Sequence, residues 1–272
     1  MGIEAGEVVL AARDVYKAYT QGDSVEQVLS GVSLEVPRGR FLSVMGPSGS
    51  GKSTLLHLLG GLDTPDSGEV ELEGASLATM GDDDRTRLRR NRIGIVYQFF
   101  NLVPVLTVEE NVALPAVIAG QAPAAYATKL AEVIEVVGMA DHKHKQPAQL
   151  SGGQQQRAAI ARALFIEPSV LLADEPTGNV DMRTGHEILT LFADAQRELG
   201  QTIVMVTHDP RSAGFADEVL LLRDGTVASS LDLAKSMRGA AKTTRDHDNR
   251  PVAVLKWLEG LDSTGAVRRV RA

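Results

Sequence analysis

Gly46-Pro47-Ser48-Gly49-Ser50-Gly51-Lys52-Ser53 follows a short apolar run, Phe41 to Met45, and opens a segment of helical pattern from about Lys52 to Gly60. The run reads as a buried strand, so the eight residues form a loop between strand and helix. The pattern G-x-x-x-x-G-K-[ST] in that setting is a phosphate-cradling loop, and it commits the chain to α/β layering. Its glycines let successive backbone N–H groups curl round phosphates. Lys52 adds a point charge on the outer phosphates, and the Ser53 hydroxyl can ligand Mg²⁺.

The rest of the chain supplies a sheet for that loop. Val8-Val9-Leu10 is apolar, and Val28, Val32, Leu34 and Val36 follow round Gly31, a turn or bulge position. Asp63 to Gly68 is a turn cluster, and Val70 and Leu72 alternate with Glu69, Glu71 and Glu73. Asp82-Asp83-Asp84 opens an arginine-rich polar helix, with acids where the helix dipole favours them. Ile93 to Tyr97, Val170 to Ala173, Thr202 to Val206 and Glu218 to Leu222 read as strands, and a helix is expected from about Thr184 to Leu199. Between Phe99 and about Pro168 the pattern is helical, with starts at Thr107, Pro123 and Ser151. That block reads as a helical subdomain, about 99–168, inserted into a mostly parallel α/β core. Ligands of such sheets bind at the carboxyl ends of strands, where the glycine loop, Gln98, Asp174-Glu175 and His208 all fall.

The phosphate loop calls for partners. Asp174 ends an apolar strand and is placed to hold Mg²⁺, and Glu175 is the candidate general base for an attacking water. Gln98 and His208 each follow a strand directly. Gln98 can touch Mg²⁺ and the water, and His208 can bond the outermost phosphate or orient Glu175. Each alone is an ordinary loop residue. His142 and His144 flank Lys143, with Lys145 close by, and read as solvated, because no full ligand set accompanies them.

Leu150-Ser151-Gly152-Gly153-Gln154-Gln155-Gln156-Arg157 carries a second signal. Ser151 and Gln154 have capping-box spacing, and the two glycines strip side chains from the first helical turn. A helix N-terminus so exposed suits an anion such as phosphate. The plainer reading is a capped helix with a glycine-softened start.

Composition narrows the function classes. The chain has 272 residues, is 43% hydrophobic and contains no cysteine, so disulfides and thiolate metal sites are excluded. Its net charge of −7 argues against nucleic acid as a partner. Residues 1–7 lack a secretory pattern, and no run approaches the roughly 18 apolar residues of a membrane span. Any work at a membrane therefore calls for another chain. The segment from Leu231 to Ala272 carries nine Lys/Arg and five Asp/Glu, a basic appendage of +4 on a body of −11. Within it, residues 239–250 are linker-like and Pro251 fits the first position of a helix. Val252, Leu255, Leu258 and Leu261 recur at threes beside Trp257, and Arg268, Arg269 and Arg271 end the chain. A strap docked on the body or on a second copy is expected, with contact to anionic lipid or a partner as the other reading.

The ordered set of the glycine loop, Gln98, Leu150 to Arg157, Val170 to Glu175 and His208 resembles an ATP-binding cassette (ABC) ATPase over about residues 8–230. The resemblance implies a P-loop NTPase core with a mostly parallel sheet, an N-terminal antiparallel β portion and the inserted helical subdomain. Residues 231–272 remain as a C-terminal extension. It implies ATP contacts from Gly46, Pro47, Ser48, Gly49, Ser50, Gly51, Lys52, Ser53 and Thr54, with Tyr19 stacking on adenine. It implies catalytic roles for Glu175, His208, Gln98 and Lys52, and Mg²⁺ at Ser53, Gln98 and Asp174. Ser151 and Gly153 would close over ATP held by a second copy, making a homodimer with two ATP molecules sandwiched in it, and Asp181 would contact the dimer mate. Val180 stands where leucine is frequent. Glu175 is in place, so nothing marks an inactive cassette.

Gly46 to Thr54, Asn101-Leu102-Val103-Pro104, Glu110-Asn111-Val112 and Ala173 to Gly178 resemble the lipoprotein-releasing and macrolide-exporting group. That implies an ATPase subunit at the cytoplasmic face of the cell membrane, held there by a separate transmembrane permease. The alternative is a mechanotransmitting ATPase of the cell-division type, which gates a membrane complex without moving a substrate. Cassettes of DNA repair or translation carry a long coiled coil or two cassettes per chain, and this sequence has neither. The segment round Phe99-Phe100 and Leu102 to Leu114 reads equally as a docking groove for the permease and as subdomain core.

Overall fold

A long hairpin opens the chain in the computed structural model, which describes residues 6–22, 24–236 and 246–261. Strands β1 (Val8–Gln21) and β2 (Ser24–Pro37) pair antiparallel from Val8 opposite Pro37 to Gln21 opposite Ser24. In β2, Leu29, Val32, Leu34 and Val36 are buried. Gly31, at φ 74°, sits where the register slips, between the Val15–Val32 and Tyr16–Ser30 pairs. It is a bulge, and a Cβ there would fall 2.9 Å from the Tyr16 hydroxyl.

Strand β3 (Phe41–Met45) is buried at all five positions, as a strand covered on both faces must be. It feeds α1 (Lys52–Leu59) through the glycine loop. β4 (Ser67–Leu72) and β5 (Ala75–Ser76) complete a four-stranded antiparallel sheet in the order β2-β1-β4-β5. Helix α2 (Asp82–Arg92) buries no residue and carries three acids in its first turn and three arginines in its last, both favoured by the helix dipole. It leads into β6 (Ile93–Val96).

Then comes the helical insertion: α3 (Val108–Ile118), α4 (Pro123–Val136), single 3-10 turns at Ala140–His142 and Pro147–Gln149, and α5 (Gly152–Phe165). The chain returns in β7 (Val170–Asp174), directly beside and parallel to β6. It continues through α6 (Met182–Leu199), β8 (Ile203–Thr207), the one-turn α7 (Pro210–Ala213), β9 (Glu218–Arg223), β10 (Thr226–Asp232), α8 (Leu233–Ser236) and α9 (Asp246–Glu259). The second sheet has the order β10-β9-β3-β8-β7-β6, parallel except for the edge strand β10. One apolar core lies between the two sheets and α1, and another joins α3, α4, α5 and α6 to the far face of the parallel sheet. Among the described residues no helix is long and apolar enough to cross a membrane.

Three expectations change. Helix α6 starts at Met182, two residues before Thr184, because Asp181 caps it, accepting from the Arg183 and Thr184 amides at 3.0 Å each. Helix α9 starts at Asp246, so Pro251 lies inside it and residues 246–250 are helix, not linker. Its buried face is also different. Val254 and Leu261 are buried, with Trp257 and Leu258 packed beside them, while Val252 and Leu255 are exposed. A repeat of three turns by 300° per step and drifts off one face, whereas 254, 257, 258 and 261 follow the helical period. Arg268, Arg269 and Arg271 lie outside the described residues. The segment after Gln98 divides between its two readings: Val108, Val112 and Ala113 are core, whereas Phe99 and Val105 are exposed.

Candidate functional site

The glycine loop begins where β3 runs out. A Cβ on Gly46 would fall 2.2 Å from the Leu222 carbonyl oxygen, and one on Gly51 would fall 2.7 Å from Leu29. Gly51 also caps α1 at φ 98°, a left-handed conformation that glycine adopts without penalty. Lys52 is buried, and its Nζ donates to the carbonyl oxygens of Gly46 at 2.9 Å and Pro47 at 2.8 Å. The cation thus closes the loop on itself. Burial pulls the Lys52 pKa down, and the charges of Glu175 and Asp174 oppose that.

The acids stand opposite. Ser53 Oγ donates to Asp174 Oδ1 at 3.2 Å, tying the start of α1 to the end of β7. Burial raises the Asp174 pKa. The Ser53 hydrogen bond works against that rise, and the charge of Glu175 adds to it. The next residue, Glu175, turns sharply out of the strand at φ 41°. Its amide donates to the Val206 carbonyl at 3.0 Å, and its carbonyl accepts from Gly178 at 3.0 Å. Its Oε2 lies 3.0 Å from His208 Nδ1. An ionised carboxylate only accepts, so Nδ1 carries the proton in that contact and Nε2 stays free of Glu175.

These groups line one cleft of about 620 Å³, formed by Pro47, Ser48, Gly49, Gly51, Lys52, Ser53, Thr54, Glu175 and His208 with Glu26 and Val28 from β2. The volume suits a nucleotide-sized ligand. Gly46 and Ser50 do not line the cleft: Ser50 is buried, and a Cβ on Gly46 would fall 2.5 Å from its Oγ. Gln98 lies against the turn after Glu175: a Cβ on Gly178 would fall 2.7 Å from its Nε2, and Asn179 Nδ2 donates to its carbonyl at 2.9 Å. Tyr19 is exposed, its hydroxyl donates to Asp63 Oδ2 at 2.9 Å, and it is not among the residues that line the cleft.

Ser151 and Gly153 are not part of this cleft. Ser151 caps α5 in a complete capping box: its Oγ accepts from the Gln154 amide at 3.3 Å, and its own amide donates to Gln154 Oε1 at 2.9 Å. Gly153 has a packing reason that its sequence does not reveal. A Cβ there would fall 2.2 Å from Thr184 Cγ2, so the glycine makes room for α6 of the same chain. Asp181, besides its backbone contacts, accepts from the Thr184 hydroxyl at 2.6 Å, and these bonds hold its carboxyl below the ordinary value.

The sequence reading missed three tethers. Gln156 is fully buried, and its Nε2 donates to the carbonyls of Pro176 at 2.8 Å and Tyr97 at 3.4 Å, joining α5 to the strand ends that carry Gln98 and Glu175. Arg162 donates to the carbonyls of Asn101 at 2.6 Å and Phe100 at 3.1 Å, clamping two residues with left-handed φ just after Gln98. Asn111, buried in α3, bonds the amide of Val103 and the carbonyls of Val103, Leu106 and Thr107. Of the histidine pair, His144 is exposed as expected and His142 is half-buried. His142 Nε2 lies 2.8 Å from Gln154 Nε2, and His144 Nδ1 lies 2.8 Å from Glu109 Oε1.

Known proteins are similar to this chain in sequence and fold. Residues 29–178 match the family described as ABC transporter. The lipoprotein-releasing system ATP-binding protein LolD of Legionella pneumophila is 43% identical over 221 residues, 81% of this chain and 97% of that protein. The macrolide export ATP-binding/permease protein MacB of Chlorobaculum tepidum is 44% identical over 214 residues, 79% of this chain and 33% of that one. Among solved structures, the dimeric post-hydrolysis state of the ATP-binding cassette MJ0796 bound to ADP and Pi is similar at TM-score 0.76 and 40% identity, covering 82% of this chain and 98% of that chain. MJ0796 comes from Methanocaldococcus jannaschii. On the family match over residues 29–178 and the relatives at 43% and 44% identity, the chain belongs to the ABC transporter family as an ATP-hydrolysing cassette.

Proposed function

We propose that the chain is the ATPase subunit of an exporter or lipoprotein-releasing transporter, and that two copies close head to tail on two ATP molecules. The observation that carries the dimer is the division of the site. The phosphate cleft is built from Pro47 to Thr54, Glu175 and His208, while Ser151 and Gly153 sit at a helix start outside it. A helix N-terminus with glycines in its first turn has amides to offer a phosphate, and a second copy is the source of that phosphate. The likeness to LolD and MacB supports the transport type. Phe99 and Val105, both exposed on the loop between β6 and α3, are the proposed contact for a separate permease subunit. That subunit holds the cassette at the cytoplasmic face of the membrane.

In the proposed reaction the loop amides and Lys52 bind the phosphate chain, and Tyr19 stacks on adenine. Glu175 takes the proton from the attacking water, and His208 orients Glu175 through the 3.0 Å contact between Nδ1 and Oε2. Ser53 Oγ and Asp174 Oδ1, hard oxygens 3.2 Å apart, fit Mg²⁺, with the Gln98 amide as a further donor. Mg²⁺ held there would neutralise charge on the phosphates. Asp181 contacts the dimer mate.

Glu175→Gln keeps the shape of the site but removes the base. It is expected to bind ATP, to turn it over at least ~100-fold more slowly and to elute as a dimer in size-exclusion chromatography with MgATP. A monomer at saturating MgATP overturns the head-to-tail reading. Purifying the native complex and identifying its membrane subunit separates a transporter from a cell-division type of regulator.

A further inference from the structure

Helix α9 belongs to the segment that exceeds the cassette pattern, and it packs against α7, the single turn that follows His208. Four residues of helix do not hold themselves in place. What fixes α7 is its neighbours. On one side, Ser212 is buried, and its hydroxyl donates to Asp209 Oδ2 at 2.9 Å and lies 3.4 Å from Thr177 Oγ1, in the turn that leaves Glu175. On the other side is α9. Gly214, the residue that ends α7, approaches it so closely that a Cβ would fall 2.7 Å from Pro251 N and 2.9 Å from its Cδ. Arg250 Nη1 donates to the Ala216 carbonyl at 3.2 Å.

The apolar seam reaches further. Val254, fully buried, shares a cluster with Ala213 of α7, with Leu221 of β9 and with Met45, the last residue before the glycine loop. Met45 and Leu221 are direct partners in the parallel sheet. A single helix from the extension thus packs on α7, the turn after His208, and shares an apolar cluster with Met45 at the root of the phosphate loop. It meets α7 at a glycine whose missing side chain is the space that Pro251 fills.

We propose that α9 is an intramolecular clamp that holds α7, and through it His208 and the Glu175 turn, in the geometry for hydrolysis. It contributes to turnover and not to ATP affinity or dimer closure. The inference rests on Glu175 and His208 acting together in the reaction. Val254 and Gly214 are positioning residues, acting through Ala213 and Asp209.

The chain has one tryptophan, Trp257, and it is packed half-buried in this seam, so its fluorescence reports whether α9 is docked. Val254→Asp breaks the seam from the tail side and Gly214→Val from the core side. A chain ending at Ser236 lacks the helix altogether. Each is expected to lower kcat ~10-fold or more, the scale on which small misplacements of catalytic groups act. KM for ATP should stay within ~2-fold, because the phosphate cradle is not part of the seam. In the Glu175→Gln background each should still form the MgATP dimer. Both point variants should shift Trp257 emission to the red, and Val254→Ile should keep emission and kcat. Unchanged kcat in the chain ending at Ser236, or in a point variant whose emission has shifted, overturns the clamp. So does loss of the MgATP dimer in step with kcat. His208→Ala is the separate control. If it hydrolyses ATP normally, the role given to His208 falls, whatever α9 does.

Discussion

Lys17 shows what single residues settle in this molecule. It is buried in β1, and its Nζ donates to Asp63 Oδ1 at 2.9 Å and to the Thr64 carbonyl at 2.8 Å, while the Tyr19 hydroxyl donates to Asp63 Oδ2. Burial pushes the Asp63 carboxyl up, but the bonds from Lys17, Tyr19 and the Thr64 amide together hold it below its usual value. A carboxyl so lowered stabilises the fold above about pH 4, and that contribution disappears as the pH falls through the lowered value. Asp63→Asn should therefore cost about 1–3 kcal/mol in urea unfolding at pH 7, with the difference from wild type shrinking in acid below pH ~4. A constant difference down to pH ~3 would show that the charge is irrelevant. Little of this was legible in the sequence, where Asp63 is simply part of a turn cluster and its side-chain partners Lys17 and Tyr19 stand 46 and 44 residues away. Residues whose local structure depends on neighbours in the chain were legible: Ser151 with Gln154, and Thr107 as a helix start.

Elements were legible where their period is local and illegible where a distant backbone decides. The strands of the parallel sheet announce themselves as apolar runs. The start of α6 was misplaced because Asp181 was read only as an acid for another copy, although it is also the cap. The face of α9 was misplaced because the repeat Val252, Leu255, Leu258, Leu261 looks helical over one step and precesses over all three. Gln156 is the extreme case. In sequence it is one of three consecutive glutamines, yet it is fully buried and bridges to Pro176 and Tyr97. Gln156→Leu keeps the bulk and removes the donor. It should lower stability by about 1–3 kcal/mol in urea unfolding, since the Pro176 carbonyl then stays buried without a partner. It should also reduce ATPase activity more than ATP binding, because the bridge joins α5 to the turn that carries Glu175. Equal activity and equal stability would mean that water replaces the amide at no cost.

At the scale of the whole molecule, the sheet order was not readable but its consequence was. Strands β3, β7 and β8 run parallel and end on the same side of the sheet, so Pro47 to Thr54, Glu175 and His208 come together in one cleft. The division of the proposed site between copies has its own test. Lys52→Ala disables the cradle, and Ser151→Arg disables the capped helix, so each protein alone should be nearly inactive. Mixed in equal parts, they should regain hydrolysis, because a mixed pair contains one intact combination. A mixture no more active than its components would mean that each copy works by itself.

The capping box at Ser151 is already closed within a single copy. The segment that ends at Gly153 therefore has no ordering left to do when something approaches it. An encounter there gives up the translational and rotational freedom of two rigid bodies and little backbone entropy. Its kinetics should be those of a collision, with no slow folding phase.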